Sequence, residues 1–206
     1  MKRERILKNP PVISILHNKN IRALYMDGFT RTLPVTTIVI HGTGGGYTLP
    51  WIANAVKEKD LTRVNRYKKG IALFHYLIGQ DSPEPDGQII EIICPTRWVY
   101  HSSVGGKDGG SIGIELLNRG AGNTGTYSNK QLESLSNLVA YLVSIFPTIN
   151  EVVGHGRNMQ RNDRSKRGAW KVCPGKNFPW EIFQEKLQEK FDATIQRDER
   201  FESVWW

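Results

Sequence analysis

His155, Lys171 and Cys173 fall in one stretch, VVGHGRNMQRNDRSKRGAWKVCPG, residues 152–175. Imidazole and thiolate are borderline-to-soft donors that suit zinc. His41, closing the apolar run TTIVIH, offers a third donor. Three protein ligands with a fourth position left for water is the catalytic rather than the structural zinc arrangement. A second reading stands beside it: the two histidines end core strands and Cys173 is a small buried hydrophobe. Lys171 precedes Cys173 by two residues, so in an extended loop both side chains point the same way. A cation there would stabilise a developing oxyanion; a solvated surface lysine is the ordinary alternative. Glu115 stands inside the apolar segment SIGIELL. A carboxylate in such a place is costly unless paired or functional. Burial would raise its pKa towards what a general base or acid near neutrality needs; a salt bridge to one of the many basic residues is the alternative.

These groups need rigid elements to bring them together. TTIVI, residues 36–40, is a β-branched run that reads as a buried strand ending at His41. The glycines of HGTGGGY let backbone approach a ligand closely, and Thr48 before Pro50 signals a helix start with Ile52, Ala53 and Val56 on its apolar stripe. IALFHYLIG (71–79), QIIEII (88–93) and SIGIELL (111–117) read as further strands. The first two are joined through QDSPEPDG, whose Pro and Asp-Gly signals suit a hairpin connection. Residues 128–146 carry the clearest helix: Ser128 and Gln131 form a capping box, and Leu132, Leu135, Leu138, Val139, Leu142 and Phe146 recur at helical spacing before Pro147. Val152 and Val153 lead into His155 as a short strand. Pro179 opens a last helix with Trp180, Phe183, Leu187 and Phe191 on one face. Strands interleaved with helices predict an α/β fold, a mixed central β-sheet flanked by helices, with the polar chemistry on one rim. The expected layout is an N-terminal extension over 1–34 with a hairpin at residues 26–28, one catalytic domain over 35–192, and a tail over 193–206.

The totals agree with one soluble domain. The chain has 206 residues, 39% of them hydrophobic and 23% charged. Its net charge of +8 favours anionic partners, wall polymer or nucleic acid alike, although a basic surface also serves solubility. Two cysteines, Cys94 and Cys173, do not make a disulfide scaffold. The basic start MKRERILKNPPVISIL is interrupted by Asn9, Pro10 and Pro11, and no stretch reaches membrane-spanning length. The expectation is synthesis in the cytoplasm without a Sec signal, and no integral membrane association.

TTIVIHGTGGG, HYLIGQD with DGQI, WVYHSS, SIGIELLN, and GH followed by KVCPG occur in this order. Together they resemble the zinc-dependent N-acetylmuramoyl-L-alanine amidases of the type 2 class, which include phage endolysins, muropeptide-recycling amidases and peptidoglycan recognition proteins. The resemblance runs from about Thr36 to Phe183. It implies one catalytic Zn2+ ion held by His41, His155 and Cys173, with Lys171 assisting the oxyanion and Glu115 as the catalytic glutamate. Family members that use a tyrosine instead carry it just before the histidine of the second strand; here that position is Phe74. His101 resembles a histidine near the substrate, and Tyr76 and Arg157 join it as candidate substrate contacts. The loop between His155 and Cys173 is longer than in the recycling enzymes, and Asp163 competes for the third-ligand place. Cys173 is preferred because it has the Lys-x-ligand-Pro-Gly context. The loop's Arg157, Arg161, Arg164, Lys166 and Arg167 could contact wall phosphates or stem-peptide carboxylates, or form a solvated surface.

The implied partner is peptidoglycan or soluble muropeptides, acted on by a monomer. The basic charge leans towards a phage-type lysin acting on the wall after release or delivery, with a cytosolic recycling enzyme or a non-catalytic wall-binding module as alternatives. Nucleic acid is not expected, since no recognisable module accompanies the charge. A serine hydrolase is also set aside. GGSIG fits G-x-S-x-G, but a nucleophile elbow needs a helix after the serine, and IGIELL alternates as a strand.

Overall fold

The computed structural model describes residues 12–14, 29–45, 74–80, 85–102, 108–156 and 173–194. Its strands are β1 (Val12–Ser14), β2 (Phe29–Thr30), β3 (Thr37–Gly42), β4 (Tyr76–Ile78), β5 (Ile89–Glu91), β6 (Arg97–Trp98), β7 (Ser111–Leu116) and β8 (Glu151–Gly154). Its helices are α1 (Asn129–Ile145) and α2 (Trp180–Thr194). Six strands form a sheet in the order β1-β5-β4-β7-β3-β8, and β2 pairs with β6 in a separate ribbon. Strands β4, β7, β3 and β8 run parallel and β5 is antiparallel to β4. The sheet is therefore mixed and helix-covered, as the alternation of apolar runs predicts.

The β-branched run of β3 suits its central place, where Ile38, Val39 and Ile40 are all 0% exposed. Alternation splits the sheet's residues between two faces. Ile38, Ile40, Ile112, Ile114, Leu116 and Val152 join the core with Leu132, Leu135, Leu138 and Leu142 of α1 and Phe183 and Leu187 of α2. Each such leucine contributes roughly 1.5–3 kcal/mol by leaving water. The opposite face carries Val39, His41, Ser111, Gly113 and Glu115.

Helix α1 begins at the expected capping box. Gln131 N–H donates to Ser128 Oγ at 3.0 Å, and Ser128 N–H donates to Gln131 Oε1 at 3.1 Å. Gln131 Nε2 also donates to the carbonyls of Leu117 (2.9 Å) and Ile78 (3.3 Å), tying the helix start to the ends of β7 and β4. The hairpin between β4 and β5 closes with Gly79 N–H on the Gln88 carbonyl at 2.9 Å.

Strand β4 is shorter than the apolar run 71–79, of which residues 71–73 lie outside the described residues, as do the hairpin at 26–28 and the helix start at 48–56. Strand β5 ends at Glu91 because the Ile92 and Ile93 amides both turn to the His75 carbonyl, at 2.7 and 3.2 Å. Strand β1, in the leader, pairs in parallel with β5 at the sheet edge.

Candidate metal centre

The C-terminal ends of the parallel strands gather the donors. His41 is the next-to-last residue of β3, and His155 follows the end of β8. Cys173 opens the segment that leads into α2 and lies on Gly42, whose N–H donates to its Sγ at 3.4 Å. One ligand atom from each of His41, His155 and Cys173 lies within 4.8 Å of the others. A tetrahedral zinc with bonds of about 2.0–2.3 Å separates its ligands by roughly 3.3–3.8 Å, so small inward movements would close the site. Two imidazoles and a thiol also match the donor preference of zinc. The His41 and His155 rings lie 4.3 Å apart between centroids.

Electrostatics favour neutral imidazoles. Burial, and then the neighbouring His155, His101 and His75, push the His41 pKa well below its ordinary value. His101 is shifted the same way, first by burial and then by His75, His155 and Arg31. A neutral ring is the form that ligates metal.

Glu115 is the backbone register partner of His41, with Leu77 on its other side, so its side chain stands on the His41 face of the sheet. It is buried, at 9% exposure. Lys171, Arg157 and the competing Asp163 lie outside the described residues.

Two of the candidate substrate contacts, Tyr76 and His101, fall among the described residues. Tyr76 lies on the helix-covered face, 2% exposed within the core, and its hydroxyl donates to Glu91 Oε2 at 3.2 Å. His101 is 8% exposed, and both ring nitrogens are engaged, Nδ1 with His41 Nε2 at 3.0 Å and Nε2 with Ser111 Oγ at 2.9 Å. The ring therefore sits directly against His41.

Three supports carried no role in the sequence reading. Tyr127 donates its hydroxyl to the Pro174 carbonyl, pinning the turn after Cys173. Its phenol pKa is raised, chiefly by burial, with Cys173 and Glu115 close enough to add to the shift. His75 accepts the Gly113 N–H on Nδ1 at 3.0 Å, which puts its proton on Nε2, 3.1 Å from the Arg97 carbonyl. Burial, then the charge of Arg31, push its pKa down to about 3. Arg31 in turn donates to the carbonyls of Pro95 (2.8 Å), Gly109 (2.6 Å) and Ser111 (2.7 Å). A histidine inside the apolar run LFHYLIG was the only sequence signal for any of them.

A mixed sheet that presents two histidines, a thiol and a carboxylate at the ends of its parallel strands suits metal-assisted hydrolysis. Residues 31–176 match the N-acetylmuramoyl-L-alanine amidase family, Amidase_2, and the chain belongs to it. It is thus an enzyme of the N-acetylmuramoyl-L-alanine amidase class. Among solved structures, the fold is similar to the endolysin N-acetylmuramoyl-L-alanine amidase LysCS of Clostridium intestinale, at 20% identity and TM-score 0.61 over 89% of this chain and 99% of that one. It is similar to the Ph2119 endolysin of the Thermus scotoductus bacteriophage, at 18% identity and TM-score 0.52 over 86% of this chain and 99% of that one. It is also similar to PGRP-SA of Apis mellifera, at 19% identity and TM-score 0.54 over 84% and 94%. No curated protein matches the sequence. No helix among the described residues is long and apolar enough to cross a membrane.

Proposed function

We propose that this chain is a zinc-dependent amidase that cuts the bond between the lactyl group of N-acetylmuramic acid and the L-alanine of the stem peptide, in the setting of a phage-type lysin. The observation that carries the reading is the convergence of His41, His155 and Cys173 beside Glu115. A zinc ion held by these three residues would supply Lewis acidity for the carbonyl and lower the pKa of water.

The chain's own groups do the rest. A carboxylate oxygen of Glu115 takes a proton from the attacking water and returns one to the departing L-alanine nitrogen. The carbon–nitrogen bond breaks, leaving a lactyl carboxylic acid and a free amino terminus. Lys171, two residues before Cys173 in the chain, is assigned to the oxyanion that develops on the carbonyl. The lysin setting is supported by the net charge of +8, which favours an anionic wall polymer, and by the likeness in fold to two endolysins.

Mass spectrometry of the products from purified peptidoglycan tests the reading. Intact stem peptides beginning at L-alanine are expected. Retention of the chain on the wall with no peptide released would overturn hydrolysis and leave a recognition module.

A further inference from the structure

The Nε2 atoms of His41 and His155 both end on one dipeptide. His41 Nε2 lies 3.0 Å from His101 Nδ1, and His155 Nε2 lies 3.0 Å from the Ser102 carbonyl oxygen. A carbonyl only accepts, so His155 carries its proton on Nε2 and its lone pair on Nδ1. For His41 to offer a lone pair from Nδ1, its Nε2–H must donate to His101 Nδ1. His101 then carries its proton on Nε2, facing Ser111 Oγ at 2.9 Å with Asp108 Oδ1 3.6 Å away. Ser111 Oγ continues the same polarity to the Asp108 carbonyl at 3.4 Å.

The dipeptide is itself held from behind. Asp108 Oδ1 accepts from Ser102 N–H at 3.0 Å and from Ser102 Oγ at 2.5 Å. Ser102 is 0% exposed and Asp108 1%. Strand β7 makes room for the ring by omitting a side chain: a Cβ at Gly113 would fall 2.7 Å from His101 Cγ and 2.8 Å from Nδ1. Polar groups buried together in this way cost stability where their bonds are not made.

We propose that His101 and Ser102, keyed in place by Asp108, are positioning residues that fix the tautomer and ring orientation of both ligand histidines, so that each presents Nδ1 to the metal. The inference rests on the zinc reading of the cluster. Outer hydrogen bonds of this kind typically change metal affinity by about 10–100-fold.

The test is the zinc affinity of the full chain, measured by competition with a chromogenic chelator, alongside the melting temperature of the metal-free protein. His101→Phe and Asp108→Ala are expected to weaken zinc about 10–100-fold. His101→Asn, whose Oδ1 can still accept from His41 Nε2, is expected to recover most of the loss. Ser102→Ala keeps the carbonyl and loses only the hydroxyl bond to Asp108, so a smaller weakening is expected; it carries the test if Asp108→Ala does not fold. Wild-type affinity in His101→Phe and Ser102→Ala would overturn the inference, as would equal losses in His101→Phe and His101→Asn. A wild-type chain that binds no zinc would instead overturn the metal reading itself.

Discussion

His41 and Glu115 are register partners on adjacent parallel strands, β3 and β7. A metal-donor candidate and a carboxylate thus stand side by side on one sheet face, fixed by backbone pairing rather than by a loop. Side chains on paired strands hold their separation without an entropic cost at each turnover. Glu115→Gln keeps the shape and removes the proposed base. Steady-state hydrolysis should fall by about 10²-fold or more, the scale of a positioned acid–base group. Bound metal, assayed on the same sample, should be unchanged.

The Tyr127 hydroxyl donates to the Pro174 carbonyl, in the turn that follows Cys173. Tyr127→Phe removes the hydroxyl that holds the turn after Cys173 while keeping the ring packed on Phe178. Zinc affinity should weaken by several-fold with little change in global unfolding. An unchanged affinity in chelator competition would mean that the turn is held by its own backbone.

His75 makes the metal-free protein sensitive to acid. Its folded pKa of about 3 lies below its ordinary 6.5, so the unfolded chain takes up the proton first. The stability it contributes is present above about 6.5 and is lost as pH falls towards about 3. The slope from this group approaches about 1.4 kcal/mol per pH unit within that window. Urea midpoints measured across it should show a shallower decline in His75→Asn, whose amide oxygen can still accept the Gly113 N–H.

Arg31 binds the β2 end of the leader to the domain through three carbonyls of the 95–111 segment. Arg31→Ala leaves those oxygens without their charged donor. A loss of about 2–4 kcal/mol is expected in denaturant unfolding, from the usual strength of hydrogen bonds to a charged group. A loss within experimental error would show that water replaces the guanidinium.

The convergence of His41, His155 and Cys173 was legible because each residue marks an element end: an apolar run stopping at histidine twice, and a Pro-Gly turn. Helix α1 was legible to the capping residue because Ser128 and Gln131 are local in sequence. Tyr76 falls on the core face, which its sequence context did not announce. The run IALFHYLIG has no polar alternation, so nothing in it sets which residues face the core, and a one-residue change of phase swaps the faces. The contacts of His101 with His41, Ser111 and Asp108 were hidden because they meet only through the tertiary fold. Arg31 sat in a leader whose residues suggested no chemistry, and its anchoring depends on carbonyls contributed by distant segments.

In the proposed function, His41, His155 and Cys173 hold the ion that drives amide cleavage. The most direct measurement is zinc titration of chelator-stripped protein while following release of amino-terminal L-alanine from purified peptidoglycan. No release by the stripped protein is expected, then activity that rises to saturation at one zinc per chain, with no such rise in Cys173→Ala. Full activity of the stripped protein, or a wild-type response in Cys173→Ala, would contradict that assignment.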